Sequence, residues 1–350
     1  MTSDPVVSPV VAAGRVRVSL IGAGAWARTA HLAALAKRDD VTFVGVYDPD
    51  PQRADETARE FGFANVASSV EELLAAPSDA CIIASPAARH AEQAIASLEA
   101  GRHVLLEKPM SNSAVDSWRI ADLAHSTELT VMLALGWNHS PVFAEARRML
   151  AATPLGRLEH ALLHMASGTH SLLAGDSDNS SGRDDRPALS GTWTDPSLSG
   201  GGYGNAQLSH GLGVLFGLVD EGASDLSAVV RPGPVAGIEL GLAVVGRLDS
   251  GATLSVSGTS IRQPLKQQLL VRLFGSEGQL EVDFLRDTIT AIDTEGVETV
   301  TNLPGLGAYP GMAPAGDFVD LLTGTTTINT SDAVVGARTT EVLDVVRGVA

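Results

Sequence analysis

The chain has 350 residues, of which 44% are hydrophobic and 19% are charged, and its formal net charge at pH 7 is −17. This composition is typical of a soluble globular protein, and the length suggests two domains. So negative a chain repels nucleic acid and anionic membranes, and we expect neither as a partner. No apolar run reaches the roughly 18 residues of a membrane-spanning helix.

The start of the chain, MTSDPVVSPVVAAG, lacks the basic segment of a signal peptide, and we predict a flexible tail over residues 1–14. Cys81 is the one cysteine and lies in an apolar run, so we expect it to be a small buried hydrophobe. Both features predict a cytoplasmic protein.

The first predicted strand, residues 16–21, leads straight into Gly22-Ala23-Gly24-Ala25-Trp26-Ala27 and a predicted helix over 27–37. This is the G-x-G-x-x-G/A pattern in the setting it needs, with a strand before it and a helix after it. Gly22 makes the tight turn, Gly24 lets a pyrophosphate approach the backbone, and the small Ala27 lets the helix pack on the sheet. The pattern predicts a dinucleotide site at the helix N-terminus that includes Gly22, Gly24, Ala25, Trp26 and Ala27.

The second predicted strand, residues 41–47, ends in Asp48, about 20 residues beyond the glycines. A carboxylate at this point accepts hydrogen bonds from the ribose hydroxyls and repels the 2′-phosphate of NADP. NAD is therefore the predicted cofactor and NADP the less favoured one. Arg53 is the residue that would reach round to a 2′-phosphate if NADP did bind.

Short apolar runs alternate with helical patterns through the rest of the first third of the chain. The further predicted strands cover 79–84, 103–106 and 129–135, and the predicted helices cover 51–61, 88–99 and 112–126. Continuous apolar strands joined by crossover helices are typical of a parallel sheet covered on both faces. We predict an α/β fold with an N-terminal, doubly wound Rossmann domain over residues 15–136.

The pattern changes after Gly136, where a predicted helix over 141–151 is followed by alternating runs. These predict strands over 157–166, 226–232, 236–248, 252–260, 267–274, 278–284 and 287–293. Period-two alternation with short turns is typical of an open, largely antiparallel sheet with one polar face. With two closing helices over 313–323 and 331–347, residues 137–350 form a predicted C-terminal α/β domain for substrate binding and oligomerisation. Its long segment 167–202 is a predicted substrate loop.

Glu107-Lys108-Pro109 directly follows the predicted strand over 103–106. Ligands of a doubly wound sheet lie at the carboxyl ends of its strands, so we expect Lys108 to face the same crevice as Gly24. A lysine in that crevice either accepts a proton, which requires its pKa of about 10.4 to fall by about three units, or donates a hydrogen bond to a substrate oxygen. The sequence does not separate these two roles. Pro109 constrains the loop and raises the chance of a cis peptide bond after Lys108, although trans is the form we expect.

A second cluster starts at Gly200-Gly201-Gly202 and ends at His210. The glycines let the chain approach a ligand closely. From about Asn205 onward the pattern is helical, which places Gln207 and His210 on one face of a helix. We predict that His210 is a second catalytic residue and that Asn205 and Gln207 contact the substrate.

Other polar residues near the ends of the predicted Rossmann strands are assigned to binding. The remaining predicted cofactor contacts are Ser85, Pro86, His90, Glu107 and Lys108. The predicted substrate contacts at the domain junction are Asn138 and His139. His31 is predicted to be structural, and because no Cys or His spacing resembles a zinc site, we expect no metal.

Four segments carry a resemblance to the Gfo/Idh/MocA family, named for glucose–fructose oxidoreductase, inositol dehydrogenase and a rhizopine-catabolism protein. They are the Gly22-Ala23-Gly24 turn, residues 79–86 (DACIIASP), residues 91–110 (AEQAIASLEAGRHVLLEKPM) and the glycine-to-histidine element ending at His210. The resemblance implies NAD(P)-dependent oxidation or reduction of a sugar, inositol or related polyol. It maps a catalytic lysine onto Lys108 and a catalytic histidine onto His210, and it implies a homodimer or homotetramer formed through the C-terminal sheet.

The chain departs from the family pattern at two positions. Many members carry an aspartate four residues before the histidine, where this chain has Ala206, and an asparagine where this chain has Ala87. The uncharged Gln207 cannot replace the aspartate as a base. The first departure argues against an Asp–His relay, and we expect Gln207 or Asn205 to position the substrate.

The expected function is that of an NAD-dependent dehydrogenase in which Lys108 polarises a substrate hydroxyl and His210 takes or relays its proton. Three alternatives remain: a ketosugar reductase in a biosynthetic pathway, redox-assisted elimination at a glycoside, and a non-catalytic NAD-sensing regulator. The presence of both Lys108 and His210 argues against the regulator.

Overall fold

The computed structural model describes residues 14–152, 155–176, 190–303 and 307–350. The tail predicted for residues 1–14 lies outside these ranges except for Gly14, as does the stretch 177–189 of the predicted substrate loop. The chain divides into two compact units: a first unit of residues up to Gly136 together with Pro310–Ala337, and a second unit of Trp137–Tyr309 together with Arg338–Ala350. Residues 310–337 thus group with the first unit, although the sequence analysis assigned all of 137–350 to one domain.

The first unit contains a parallel sheet and the helices that connect its strands. Up to residue 136 its elements are β1 (Val16–Ile21), a π-helical turn (Ala27–Leu32) that continues into α1 (Ala33–Leu35), β2 (Val41–Tyr47), α2 (Pro51–Phe61), β3 (Asn65–Val66), α3 (Val70–Ala75), β4 (Ala80–Ile83), a 3₁₀ turn (Ala87–Arg89), α4 (His90–Glu99), β5 (His103–Leu106), α5 (Ala114–Thr127) and β6 (Val131–Leu133). The strand order is β3-β2-β1-β4-β5-β6, and every neighbouring pair is parallel. This confirms the predicted doubly wound Rossmann sheet.

The strands at the centre of this sheet are mostly apolar because both faces of the sheet are covered. All four residues of β4 and all four of β5 are buried, and Cys81 lies among them on β4 as expected. The chain order reverses between β1 and β4, which creates the crevice where ligands of such sheets bind. The sequence analysis missed β3 and α3, because β3 has two residues, both exposed, and carries no apolar signal.

The second unit is built on a larger sheet. Its elements are a 3₁₀ turn that starts at the boundary (Gly136–His139), α6 (Pro141–Ala152), β7 (Leu158–Ser167), α7 (His170–Ala174), α8 (Ser190–Trp193), α9 (Pro196–Ser199), a π-helical turn (Gly204–Leu208), α10 (Ser209–Val219), β8 (Ala223–Pro232), β9 (Glu239–Leu248), β10 (Thr253–Ser260), β11 (Gln268–Gly275), β12 (Gly278–Asp283), β13 (Thr288–Asp293) and β14 (Glu298–Asn302). The order is β14-β13-β12-β11-β7-β10-β9-β8, antiparallel throughout except for the parallel pair β7–β10. The predicted open, largely antiparallel sheet is confirmed.

One face of this sheet is buried against α10. An added Cβ on Gly211 of α10 would lie 3.1 Å from Leu163 of β7, which shows how closely the helix approaches. Strand β10 alternates strictly between buried and less buried residues, as one covered face requires. The opposite face carries exposed apolar side chains, including Val229, which is 70% exposed, and Val245, which is 56% exposed.

The two last helices are α11 (Ala313–Thr323) and α12 (Ala333–Arg347). Helix α11 packs into the core of the first unit, where Phe318, Val319 and Leu322 join Val18 and Leu20 of β1. This packing explains why residues 310–337 group with the Rossmann sheet. None of the helices that the structure describes is both long enough and apolar enough to cross a membrane.

Candidate active site

The turn after β1 has the geometry that its glycines predict. Gly22 has a φ of +89°, and an added Cβ there would lie 2.6 Å from the backbone nitrogen of Ser85, so only glycine fits. An added Cβ on Gly24 would meet no atom of the described chain within 4 Å. Gly24 therefore borders open space, which is the surrounding that a group approaching the backbone needs.

Asp48 lies at the end of β2 and ties that strand to the glycine turn. Its Oδ2 accepts a hydrogen bond from the Ala23 amide at 2.8 Å, and its Oδ1 accepts from the amide of Asp50 at 2.9 Å and from Arg53 Nη1 at 3.1 Å. Arg53 also pairs with the Asp50 carboxylate. The carboxylate occupies its predicted place beside the turn, but its charge is already partly balanced by Arg53.

Glu107 receives two side chains from the segment that follows the turn. Trp26 Nε1 donates to its Oε1 at 2.7 Å, and His31 Nε2 lies 2.8 Å from the same oxygen. Burial raises the pKa of Glu107, but the hydrogen bond and charge of His31, together with the charges of Lys108 and His90, hold the pKa below its usual value. The predicted cofactor contacts Trp26 and Glu107 thus bind each other, and His31, which was expected to be structural, holds the carboxylate in place.

The π-helical turn that brings His31 to Glu107 was not predicted. The sequence pattern indicated a regular helix over 27–37, but the amide of Ala33 bonds to the carbonyl of Arg28, five residues earlier. Such single wide turns are rare and are often found at functional sites.

Lys108 stands at the carboxyl end of β5, at the predicted edge of the sheet. Its side chain is half-buried, and its amide donates to Glu107 Oε2 at 3.2 Å. Burial lowers the pKa of the Lys108 amine to about 8, and the charge of Glu107 opposes part of that change. The Lys108–Pro109 peptide bond is cis, whereas the trans form was expected.

His90, the first residue of α4, lies between two loops. Its Nδ1 is 2.8 Å from the carbonyl oxygen of Pro109, and its Nε2 is 2.9 Å from that of Ser85. The Ser85 hydroxyl donates to Gln93 Oε1 at 2.6 Å. His90 is 1% exposed, so in this structure the predicted cofactor contact is a buried link between loops.

In the second unit, Glu239 holds the glycine-rich turn. Its two carboxylate oxygens accept hydrogen bonds from the amides of Gly202 and Gly204, each at 2.7 Å. An added Cβ on Gly202 would lie 2.2 Å from the carbonyl oxygen of Glu239, and Gly201 has a φ of +152°. The glycines are therefore required by this close contact with β9, which the sequence analysis attributed to a ligand.

His210 lies near the start of α10 and is 6% exposed. Its ring packs edge-on against Tyr309, with ring centroids 5.1 Å apart, and Tyr309 packs in the same way against Trp137. This aromatic contact fixes the orientation of the imidazole within the second unit.

Two predicted substrate contacts make hydrogen bonds inside the second unit. Asn205 donates to the carbonyl of Ser199 at 2.8 Å and accepts from Arg347 at 3.0 Å, while Asn138 donates to the carbonyl of Gly213 at 2.9 Å. Both amides are 2% exposed, which suits residues that position the chain. His139 and Gln207 are half-buried, and Gln207 lies in the π-helical turn before α10.

Sequence reasoning missed Glu239 and Tyr309. A signal for Glu239 was present, because a carboxylate at the start of the apolar run ELGLAVVG is out of place unless it is bound. Tyr309 had no such signal, since it lies in a stretch without apolar periodicity. Among the described residues, no three His, Cys, Asp or Glu side chains group as they would around a metal ion.

Comparisons with known proteins agree with this geometry. Residues 16–135 match the family model described as an oxidoreductase family with an NAD-binding Rossmann fold. An uncharacterised oxidoreductase of Synechocystis is 29% identical over 62% of this chain and 56% of its own length, and the glucose-6-phosphate 3-dehydrogenase of Bacillus subtilis is 37% identical over 35% and 34%. The chain thus covers 56% of the length of the first relative and 34% of the length of the second. A solved levoglucosan dehydrogenase in complex with NADH and levoglucosan has the same fold, with a TM-score of 0.76, 21% identity, and 95% and 96% of the two chains covered.

Proposed function

We propose that this chain, whose residues 16–135 match the family model of the Gfo/Idh/MocA oxidoreductases, is an NAD-dependent dehydrogenase that acts on a sugar, inositol or related polyol. The reaction is hydride transfer between a C–OH carbon of the substrate and the cofactor's nicotinamide, which supplies the redox chemistry when bound. The observation that carries the proposal is the position of Lys108: it stands at the carboxyl end of β5, in the same unit as the glycine turn, with a pKa lowered to about 8.

The residues of the first unit fit a dinucleotide. The open space at Gly24 and the left-handed turn at Gly22 suit a pyrophosphate against the backbone, followed by Ala25, Trp26 and Ala27. Asp48, which is bound to the glycine turn, is proposed to accept hydrogen bonds from the ribose hydroxyls and to favour NAD over NADP through its charge. The remaining residues proposed to line the cofactor site are Ser85, Pro86, Glu107 and Lys108, whereas His90 is buried between two loops.

Lys108 is assigned the role of hydrogen-bond donor. At neutral pH an amine with a pKa of about 8 is mostly protonated, so it donates to the substrate hydroxyl and stabilises the alkoxide that develops as the proton leaves. His210 then accepts that proton. Ala206 stands where the family resemblance implies an aspartate, so no carboxylate from that position assists His210. Gln207 and His139 are the half-buried residues proposed to bind the substrate.

The names of the relatives support a carbohydrate substrate. Glucose-6-phosphate and levoglucosan are both sugars or sugar derivatives, and the two proteins that carry those names are dehydrogenases. A ketosugar reductase would use the same groups in the reverse direction. Redox-assisted elimination would use transient oxidation to acidify a neighbouring C–H bond, and an NAD-sensing regulator would bind the cofactor without turnover.

A substrate panel tests the proposal. The purified full chain is incubated with NAD and a series of sugars, inositols and glycosides, and the absorbance of reduced nicotinamide is followed. We expect NADH to accumulate with at least one polyol, with NADH-dependent reduction of the matching ketone in the reverse assay. Glycoside cleavage without net NADH would instead indicate elimination. Tight NAD binding with no turnover of any compound would contradict the enzymatic function.

A further inference from the structure

We propose that His90 is a positioning residue that fixes the Lys108–Pro109 segment against the loop following β4 and so sets where the lysine amine is presented. Its imidazole is buried, with Nδ1 2.8 Å from the Pro109 carbonyl oxygen and Nε2 2.9 Å from the Ser85 carbonyl oxygen. Only the turnover readout below rests on the proposed function.

The chemistry of these contacts makes the imidazole hard to replace. Both partners are carbonyl oxygens, which accept hydrogen bonds and cannot donate them. A neutral imidazole has one N–H and donates to one of the two carbonyl oxygens, whereas a protonated imidazole has two N–H groups and donates to both. Two charged groups face His90: Glu107 favours the protonated ring, while Lys108 disfavours it, and burial lowers the pKa of the ring. The protonation of the His90 ring therefore depends in part on the charge of Lys108.

The residues before and after Lys108 in the sequence are each fixed by hydrogen bonds. The residue before it, Glu107, is bound by Trp26 and His31. The residue after it, Pro109, is bound by His90. Removal of the His90 ring releases the second side only, so the segment stays attached to β5 but loses its fixed direction.

The other end of the His90 contact reaches the glycine turn. The Ser85 carbonyl faces His90 Nε2. Ser85 also lies close to Gly22, since a Cβ added to Gly22 would be 2.6 Å from the Ser85 backbone nitrogen. The His90 imidazole therefore connects the Lys108–Pro109 segment to the loop that contains Ser85, and the glycine turn packs against that same loop. A shift of about 1 Å at a reacting group is enough to cost about 100-fold in rate.

The first experiment measures Lys108 without any substrate. In the full-length protein, the acylation rate of the Lys108 amine is followed as a function of pH by peptide mass spectrometry. We expect a midpoint near 8 for the native protein. His90→Leu removes every hydrogen bond from the ring to the Pro109 and Ser85 carbonyls, so we expect the released segment to expose the amine and the midpoint to move towards the ordinary value of about 10.4. His90→Asn, which keeps a donor near Pro109, should restore part of the native midpoint.

His103→Asn is the matched control. His103 is also a buried histidine, at the opposite end of β5 from Lys108, and accepts a hydrogen bond from the Thr130 amide. We expect its variant to keep the native Lys108 midpoint. A folded His90→Leu protein with an unchanged midpoint would overturn the proposal; should that variant not fold, an unchanged midpoint in His90→Ala, which also lacks a donor, would do so.

The second readout is turnover with a polyol found in the substrate panel. We expect His90→Leu to lower kcat by at least about tenfold, with the KM for NAD changed by less than about threefold, because the loss concerns the position of a group needed in the transition state. Equal kcat values for His90→Leu and the native protein would count against the proposal. Failure of the native protein to oxidise any polyol would contradict the proposed function alone, since the acylation midpoint still decides the role of His90.

Discussion

Single ionisable side chains of the first unit show how burial changes what a residue can do. Burial lowers the pKa of Lys108 to about 8, which brings proton exchange close to neutral pH. Burial also lowers the pKa of His103 to about 4, which keeps that ring neutral. The neutral ring accepts a hydrogen bond from the Thr130 amide, so the same physical cause serves chemistry at one end of β5 and stability at the other.

His103 should make the stability of the protein depend on pH. The folded state takes up the proton only near pH 4, while the unfolded chain takes it up near pH 6.5, so the contribution is complete above about 6.5 and is lost as the pH falls towards 4. Between pH 7 and 5 we expect it to weaken the native fold by about 2 kcal/mol. His103→Asn keeps an acceptor without titrating, and urea unfolding at the two pH values should show a smaller loss. Equal losses in both proteins would refute this assignment.

Asp48 should decide between NAD and NADP. Asp48→Ser removes the repulsive carboxylate and releases Arg53, which can then pair with a 2′-phosphate. We expect the ratio of the NADPH and NADH dissociation constants, measured by fluorescence, to move towards NADPH by about 30-fold, equivalent to about 2 kcal/mol. Asp50→Asn is the control, because it loses an Arg53 partner but leaves Asp48 in place. A ratio that responds equally to both changes would show that Asp48 does not select the cofactor.

At the scale of whole elements, a buried carboxylate fixes the start of the segment that carries His210. Glu239 at the beginning of β9 binds the amides of Gly202 and Gly204, and the chain then passes through a π-helical turn into α10. The packing of α10 on β7 completes the support. The position of His210 in the second unit therefore depends on β7, β9 and the glycine turn together.

Glu239→Gln should loosen this segment. The amide offers one acceptor where two N–H donors converge, so one buried donor is left unsatisfied at a cost of about 1–3 kcal/mol. We expect urea unfolding to show that loss and kcat to fall with it. Glu281→Gln serves as the control, since Glu281 pairs with Arg272 on an exposed part of β12. An unfolding free energy equal to that of the native protein would show that the two short hydrogen bonds contribute nothing.

The elements that the sequence predicted are those with a strong local signal. The predicted strands 16–21, 41–47 and 103–106 match β1, β2 and β5 residue for residue. Strand β14 was missed because its residues are mostly exposed and carry no alternation. The two π-helical turns were missed because a helical apolar pattern does not distinguish α from π geometry.

The candidate site was predicted only as far as strand ends define it. Asp48 and Lys108 follow apolar strands, and the topology of a parallel sheet places both at one edge. Other contacts of the candidate site join distant parts of the chain: His31 and Glu107 are 76 residues apart, and Gly202 and Glu239 are 37 apart. No local pattern reports such a pair, so the buried links emerged only from the structure.

At the scale of the whole molecule, the open face of the second sheet is proposed as the surface that joins copies of this chain. Val245 of β9 pairs with Ser227 of β8, and Val229 lies two residues further along the same face. Both valines are more than half exposed. An apolar stripe on an otherwise strongly negative protein is suited to association with a second copy.

Charged substitutions on this face should dissociate the assembly. We expect light scattering after size-exclusion chromatography to give two or four chain masses for the native protein, and one chain mass for Val229→Glu combined with Val245→Glu. Val115→Glu, at a valine that is 79% exposed on α5, should leave the assembly intact. A monomeric native protein, or a double variant with the native mass, would contradict the proposed interface.

The most direct test of the whole account is the replacement of Lys108 by alanine in the full-length protein, with NAD binding and polyol oxidation measured side by side. Because Lys108 is proposed to act on the substrate hydroxyl while the glycine turn and Asp48 hold the cofactor, the NAD dissociation constant should change by less than about threefold and kcat should fall by at least about 100-fold. Lys37→Ala, at an exposed lysine after α1, should leave both values unchanged. Retention of native turnover in Lys108→Ala would contradict the account.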